Sequence, residues 1–304
     1  VYNDAEFVGR AIESVLDQSF DPFELIVVDD GSTDGTYEVL DRFTSDERVN
    51  LVAHDQNSGL PTALNTGLEH ATGEYILRQD ADDESLPGRL RRQYDYLERH
   101  PEVDVLTTGV EVVDEAGAVH YTMSGPEDPG QYLKDRNPVV HGTVMARRPV
   151  IEAMDGYDEF FRFCQDYDLW IRLHRAGYQL RTLSEPLYRL RREDTLLSVD
   201  RRRKIALYGM LARAPESLKR RLKQRTETHG LDTIYDGSDA EERGRYHRRM
   251  ALANLEHRNR ATALGHGVQS VAKQPNDPKS YEYLVLTGLP KTITDRIMAR
   301  INGR

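Results

Sequence analysis

The chain has 304 residues, a formal net charge of −10, 38% hydrophobic residues and a mean hydropathy of −0.66. These values describe a globular chain large enough for two domains, and no apolar stretch reads as a membrane span or a secretory leader. The single cysteine, Cys164, excludes an intrachain disulfide framework and a multi-cysteine zinc site, so the expected location is cytoplasmic.

Val8, Ala11, Ile12, Val15 and Leu16 recur at helical spacing and predict an amphipathic helix ending near Gln18. Leu25–Val28 is a short continuous apolar run, suited to a strand buried on both faces. A helix over Thr36–Phe43 and a strand at Val49–Ala53 follow. Leu60, Ala63, Leu64, Leu68 and Ala71 mark a third helix, with Gly73 placed to end it, before a strand at Tyr75–Leu77. Strand and helix alternate, which predicts parallel strands joined by right-handed crossovers. Because Val1 adjoins a turn-like Tyr2-Asn3-Asp4, a first strand is expected upstream.

A helix over Leu90–Leu97 and a strand at Val103–Thr108 come next, then a hairpin in which Glu111–Val113 and Ala118–Tyr121 flank Glu115-Ala116-Gly117. From about Leu196 helical patterns dominate, broken near Gly230–Gly237 and Gln274–Pro278. The chain therefore divides into an α/β domain at 1–195 and a helical region at 196–304. Charge divides in the same way: residues 1–190 carry a balance of −20 and residues 191–304 a balance of +10. The basic half is solvated surface, or docks within the molecule, or faces an anionic partner such as a membrane surface.

In open α/β sheets ligands bind beyond the carboxyl ends of the strands, and two acidic clusters fall there. One is Val28-Asp29-Asp30-Gly31-Ser32; the other is Gln79-Asp80-Ala81-Asp82-Asp83. Either alone is ordinary loop punctuation. Together on one sheet edge they would repel unless a cation or hydrogen-bond donors compensated them. Mg²⁺ or Mn²⁺ suits such oxygen ligands and would bridge the carboxylates to a diphosphate.

As an ordered set these motifs resemble the family-2 glycosyltransferases of the GT-A fold. The resemblance runs from Val1-Tyr2-Asn3 through Ser14–Ser19, Val28–Thr36, Asn57-Ser58-Gly59, Ala63–Gly67 and Asp80–Asp83. It continues with Asn137–Met145 and Gly156–Glu159 and closes on Gln165-Asp166-Tyr167-Asp168-Leu169-Trp170. It implies a Rossmann-like, mostly parallel central sheet flanked by helices, and sugar transfer from a nucleotide-diphosphate sugar with inversion. By the same resemblance Tyr2 lies beside the nucleobase, Asp29 or Asp30 bonds base or ribose, and Asp80 contacts the donor. Asp82 holds the divalent metal, and Asp166 is the general base toward the acceptor, a hydroxyl or a lipid phosphate of a glycan, polysaccharide or lipid-linked acceptor. No nucleic acid is implied.

The residues carry bland alternatives beside these roles. Leu169, Trp170, Leu173 and Ala176 predict a helix closing at Gly177, so Asp166 stands at its start, where an Asp often caps. Asp168 is the second candidate base, or orients the turn. Trp170, Tyr94 and Tyr96 are expected to pack; His141 has no visible partner; Gly59 and Asn65 are expected to shape the donor side. The sequence departs from the family pattern at Gln165, where many relatives carry Glu, and after Tyr188-Arg189, where Arg191-Arg192 stand without a histidine. The two arginines are solvated, or contact the diphosphate as it leaves. A sugar nucleotidyltransferase and a non-catalytic nucleotide-sugar-binding scaffold are the competing functions.

Overall fold

The computed structural model describes residues 1–114, 117–192, 198–256, 259–275, 277 and 279. The chain forms two compact units, Val1–Asp194 and Thr195–Arg304. The turn pair Glu115-Ala116 and the boundary expected at 195/196 lie outside the described residues.

In the first unit α1 (Val8–Leu16) buries Val8, Ala11, Ile12 and Val15, the stripe that the helical spacing marks. β1 (Leu25–Asp29) pairs in parallel with β2 (Val49–Ala53), Leu25 opposite Val49 and Asp29 opposite Ala53. Between them runs α2 (Thr36–Asp41), whose Leu40 joins Val8, Ile12 and Val27 in one core cluster. α3 (Leu60–His70) ends at Ala71, not at Gly73. Ala71 turns extended because the next two N–H groups, of Thr72 and Gly73, donate to the Glu24 carboxylate at 2.8 and 3.1 Å.

The larger sheet contains β3 (Tyr75–Leu77), β4 (Glu84–Ser85), β5 (Val105–Val113), β6 (Val119–Met123), β7 (Met145–Arg147) and β8 (Leu180–Arg191), in the order β3-β7-β5-β8-β4 with β6 on β5. The α/β class and the β5–β6 hairpin are as expected, but the sense of pairing is more mixed than alternation predicts. Only β5–β8 is parallel in this sheet; β3–β7, β5–β7, β4–β8 and β5–β6 are antiparallel. β7 and β8 return from far along the chain, so their direction is set by where the chain re-enters rather than by a neighbouring crossover. β5 also runs past Thr108: Gly109 continues it because a Cβ there would lie 2.6 Å from the Ser184 carbonyl, where the β5–β8 register shifts. α4 (Arg89–Arg99), α5 (Arg148–Glu152) and α6 (Gln165–Arg175) complete the unit.

The second unit consists of α7 (Val199–Arg213), α8 (Glu216–His229), α9 (Asp232–Gly237), α10 (Ala240–Glu256) and α11 (Arg260–Lys273). Ser198 and Asn259 cap α7 and α11 by accepting from the Arg201 and Thr262 N–H groups. Of the apolar residues beside the basic runs, Leu207 and Leu211 are buried in the core, while Ile205 and Leu218 are half-buried. Several of the cations are paired as well, Arg203 with Asp232, Lys204 with Asp200 and Lys219 with Glu216. Arg220, Arg221 and Arg225 of α8 remain exposed. Among the described residues no helix is long and apolar enough to cross a membrane.

Candidate active site

At the end of β1 the chain turns through Asp29-Asp30-Gly31-Ser32. Gly31 adopts φ +70°, and a Cβ there would stand 2.5 Å from the Gln56 carbonyl carbon, so the turn and the 56–57 backbone touch through a bare α-carbon. Asp29 is buried, and its Oδ1 accepts from the Ser32 N–H at 3.2 Å and from Ser32 Oγ at 2.5 Å. Asp30 is committed on both oxygens. Oδ1 accepts from the Ser58 N–H (2.9 Å) and meets His54 Nδ1 (2.8 Å), while Oδ2 accepts from the Gly59 N–H (2.8 Å). Asp30 thus ties the start of α3 to β1. Tyr2 stands 44% exposed on the adjoining segment, which Asn3 fastens to Ser32 and Thr33.

The second acidic turn follows β3, and Ala81 at its centre packs against the α1–β1 core. It rests on two arginines that sequence reasoning did not single out, Arg89 buried and Arg78 half-buried. Arg78 Nη2 donates to Asp80 Oδ1 at 2.5 Å. Arg89, fully buried, donates to the carbonyls of Arg78 (2.9 Å) and Gly142 (2.6 Å), to Gln79 Oε1, to Ser85 Oγ and to Gln93 Oε1. Burial draws its pKa down to about 10, still far above neutrality, so it stays a cation, with the Tyr188 ring 4.7 Å away. For Asp80 burial acts to raise the pKa, but Arg78, then His141 and Arg89, outweigh it and the net shift is downward.

Asp83 behaves differently. Burial, then the charges of Asp82 and Asp80, push its pKa up to about 8, although its Oδ1 accepts from the Arg191 N–H at 2.7 Å. Arg191 belongs to the same turn: its Nε donates to the Asp82 carbonyl at 3.2 Å and its guanidinium lies 4.5 Å from the Phe7 ring centre. Tyr188 Oη accepts from the Asp80 N–H at 3.1 Å. Gly142 permits this packing, since a Cβ there would fall 2.1 Å from Tyr188 Oη and 2.6 Å from Asp80 Oδ2.

Asp166 occupies the first turn of α6 but does not cap it. The cap position is Cys164, held at φ +62° without a side-chain cap bond. The Asp166 carboxylate instead accepts from Asn137 Nδ2 at 2.7 Å, a neutral partner reached across 29 residues. Asp168 is fully buried and binds Arg172 (2.8 Å), which donates to the Met154 and Gly156 carbonyls; it orients that turn. Trp170 is core.

The two acidic regions meet at His141. This imidazole feels the charges of both Asp80 and Asp166, yet burial, then Arg78, lower its pKa, so it is neutral at pH 7. Its Nε2 lies 2.8 Å from Tyr157 Oη. Asn65 of α3 clasps the Tyr157 backbone, accepting from its N–H (2.9 Å) and donating to its carbonyl (2.8 Å). The partner that the sequence did not reveal for His141 is therefore a tyrosine, positioned by an asparagine 92 residues away. Only the residue types gave a signal for it.

Among the described residues no cluster of three or more His, Cys, Asp or Glu side chains is placed to hold a metal ion. Asp80 is paired to Arg78 and Asp83 receives the Arg191 N–H; Asp82, the carboxylate that the family resemblance gives to a cation, stands between them and is half-buried. One carboxylate fits Mg²⁺ or Mn²⁺ in a site completed by phosphate oxygens and water, not a closed protein cage.

Residues 1–154 match the family profile "Glycosyl transferase family 2". EpsE of Bacillus subtilis, named as a glycosyltransferase, is 39% identical over 200 residues, covering 64% of this chain and 71% of its own. The O-antigen biosynthesis glycosyltransferase WbnJ of Escherichia coli is 31% identical over 240 residues, covering 76% and 89%. Among solved structures, the mannosyltransferase PcManGT from Pyrobaculum calidifontis, in complex with GDP-Man and Mn²⁺, superposes with a TM-score of 0.55 at 21% identity, covering 95% of this chain and 77% of that one.

Proposed function

Since the chain belongs to glycosyl transferase family 2 and is a glycosyltransferase of the GT-A fold, we propose that it moves a sugar from a nucleotide-diphosphate sugar to an acceptor hydroxyl with inversion at the anomeric carbon. The observation that supports this reading is that the segment 137–142 reaches both acidic regions: Asn137 Nδ2 donates to Asp166 at 2.7 Å, and a Cβ at Gly142 would fall 2.6 Å from Asp80 Oδ2. A strand-end acidic turn for the donor and a separate carboxylate for the acceptor are what a single displacement needs.

In this reading Tyr2 stacks on the base and Asp29 bonds base or ribose, while Asp30 acts indirectly by holding Ser58 and Gly59 in place. Asp80, fixed by Arg78, meets the donor sugar, and Arg191 braces the turn against the diphosphate. Asp82 would hold Mg²⁺ or Mn²⁺, in keeping with the Mn²⁺ named with GDP-Man in PcManGT; bound there, the ion supplies Lewis-acid neutralisation of the departing diphosphate. Asp166 takes the acceptor proton as attack proceeds, its geometry set by Asn137. Inversion follows from one base opposite the leaving group. The acceptor is a glycan, lipid-linked carriers included, and the exposed Arg220, Arg221 and Arg225 meet an anionic membrane surface by charge alone.

Two variants test the assignment together. Asp166→Asn keeps donor affinity by calorimetry and lowers transfer by roughly 10²–10⁴-fold. Asp82→Ala loses donor affinity, and chelator reproduces that loss in the parent protein. Near-normal transfer by the first variant, or unchanged donor binding by the second and under chelator, overturns the corresponding role.

A further inference from the structure

β1 and β2 run in parallel with Asp29 opposite Ala53, so the next residues, Asp30 and His54, leave the sheet side by side. The His54 N–H donates to the Asp29 carbonyl at 2.9 Å, and its ring turns to Asp30, with Nδ1 2.8 Å from Oδ1. On the other side of the ring Nε2 lies 3.0 Å from Thr66 Oγ1 of α3, a hydroxyl that is also 3.1 Å from the Thr62 carbonyl. An ionised carboxylate only accepts, so Nδ1 carries a proton. The Thr66 hydroxyl serves either state of Nε2: it donates to the bare nitrogen, or it donates to the Thr62 carbonyl and accepts from Nε2–H. His54 therefore keeps its bond to Asp30 whether the ring holds one proton or two.

We infer that His54 is a positioning residue for the nucleotide: acting through Asp30, it fixes the 56–59 turn that borders the donor. The inference rests on the reading of the Asp29-Asp30 turn as the nucleotide side. Asp29 and Asp30 are adjacent carboxylates, each 3% exposed. Ser32 serves the first with neutral donors, as the Ser58 and Gly59 N–H groups serve the second. His54 adds to Asp30 a side chain able to carry positive charge, which offsets the cost of burying two neighbouring carboxylates. Gly31 lies against the 56–57 backbone from the other side, so the turn is gripped twice and the angle of the Asp30 carboxylate sets where Ser58 and Gly59 stand. Anchored at both nitrogens, the ring cannot swing away from Asp30 without also leaving Thr66.

Calorimetry on the full chain with UDP and with GDP, each in the presence of Mn²⁺, tests this without turnover or an acceptor. The parent protein binds at least one of the two, and His54→Ala weakens that binding by about tenfold, the size of one hydrogen bond to a charged group. His54→Asn restores it, because its amide nitrogen stands as many bonds from the backbone as Nδ1 does. His54→Gln, whose amide nitrogen matches Nε2 instead, does not. Hydrogen exchange at the Ser58 and Gly59 amides follows the turn directly, fast in the Ala and Gln variants and slow in Asn, and thermal melting checks that each variant folds. Should His54→Ala fail to fold, the contrast between Asn and Gln carries the test. Nucleotide affinity unmoved by His54→Ala, or restored by Gln as fully as by Asn, overturns the positioning role and leaves the donor reading intact. Binding of neither nucleotide by the parent protein overturns the donor reading and the role for the nucleotide with it, while exchange at Ser58 and Gly59 still decides whether His54 holds the turn.

Discussion

Each unit buries titratable side chains, and Asp80 in the first and His247 in the second end in opposite states. Around Asp80 the first unit gathers Arg78 and Arg89, and opposite charge holds the carboxylate ionised against burial. In the second unit His247 meets only neutral groups directly, His266 Nδ1 at 2.8 Å and Tyr235 Oη at 2.8 Å. There burial, followed by the influence of His266 and Lys273, pulls its pKa down to about 4. Burial penalises charge equally in both places; the partner decides whether charge survives. Asp166 differs from both in its partner, a neutral amide on one oxygen. A carboxylate locked to arginine is suited to holding a ligand, and one held by an amide is suited to taking a proton.

The largest expected effect comes from removing a compensating charge. Arg89→Met strips hydrogen bonds from two buried carbonyls and a cation from beneath Asp80, and should cost on the order of 3–5 kcal/mol of stability in urea unfolding. A loss below about 1 kcal/mol would show that the turn does not depend on that cation.

The neutral pair makes the converse prediction. An unfolded histidine titrates near 6.5, so above that pH both states are neutral and the contribution of His247 to stability is complete. As pH falls below about 6.5 the unfolded chain takes the proton first, and stability on the order of 2–3 kcal/mol is lost progressively as pH approaches the folded value of about 4. Unfolding of the full chain followed by circular dichroism from pH 8 to 4 measures this slope. His247→Gln should flatten it; a slope unchanged in that variant assigns the acid loss elsewhere.

Asn137→Ala sharpens the distinction between the two kinds of carboxylate. It removes the hydrogen bond to Asp166 and should lower kcat by roughly tenfold, in line with about 1.5 kcal/mol for a bond to a charged group. Donor KM should stay put, and a change confined to donor KM would refute the positioning role. The smallest effect belongs to the surface. Replacing Arg220, Arg221 and Arg225 one at a time by Gln should each weaken sedimentation with anionic vesicles by about 1 kcal/mol at low salt, and by less as salt rises. Indifference of the parent protein to anionic vesicles at low salt removes the membrane contact.

What the sequence disclosed follows the reach of its signals. Helical spacing found the buried face of α1, and the apolar run Leu25–Val28 found β1, because both are local patterns. The acidic turn after Leu77 was visible because Asp80, Asp82 and Asp83 crowd where a strand stops. Arg78 and Arg89 were not, since arginine usually reads as surface, and only the packed turn shows why Arg89 is buried and Arg78 lies against Asp80. Asn137 and Asp166 lie 29 residues apart, and Asn65 and Tyr157 lie 92 apart. No periodicity joins such residues. The antiparallel entry of β7 beside β3 was hidden for the same reason, as Leu77 pairs with Met145 far along the chain.

α3 has a consequence of another kind. Its first turn is bound to Asp30 through Gly59, and six residues later Asn65 clasps Tyr157, the partner of His141. The spacing of the Asp30 turn from the imidazole is therefore measured out by helix rise, about 9 Å over six residues, as if by a ruler. Substitutions along the outer face of α3 leave that ruler unchanged. Inserting or deleting one residue between Gly59 and Asn65 does not, because it shifts the length by about 1.5 Å and turns Asn65 by about 100° away from Tyr157. The helix should tolerate many sequences and only one length.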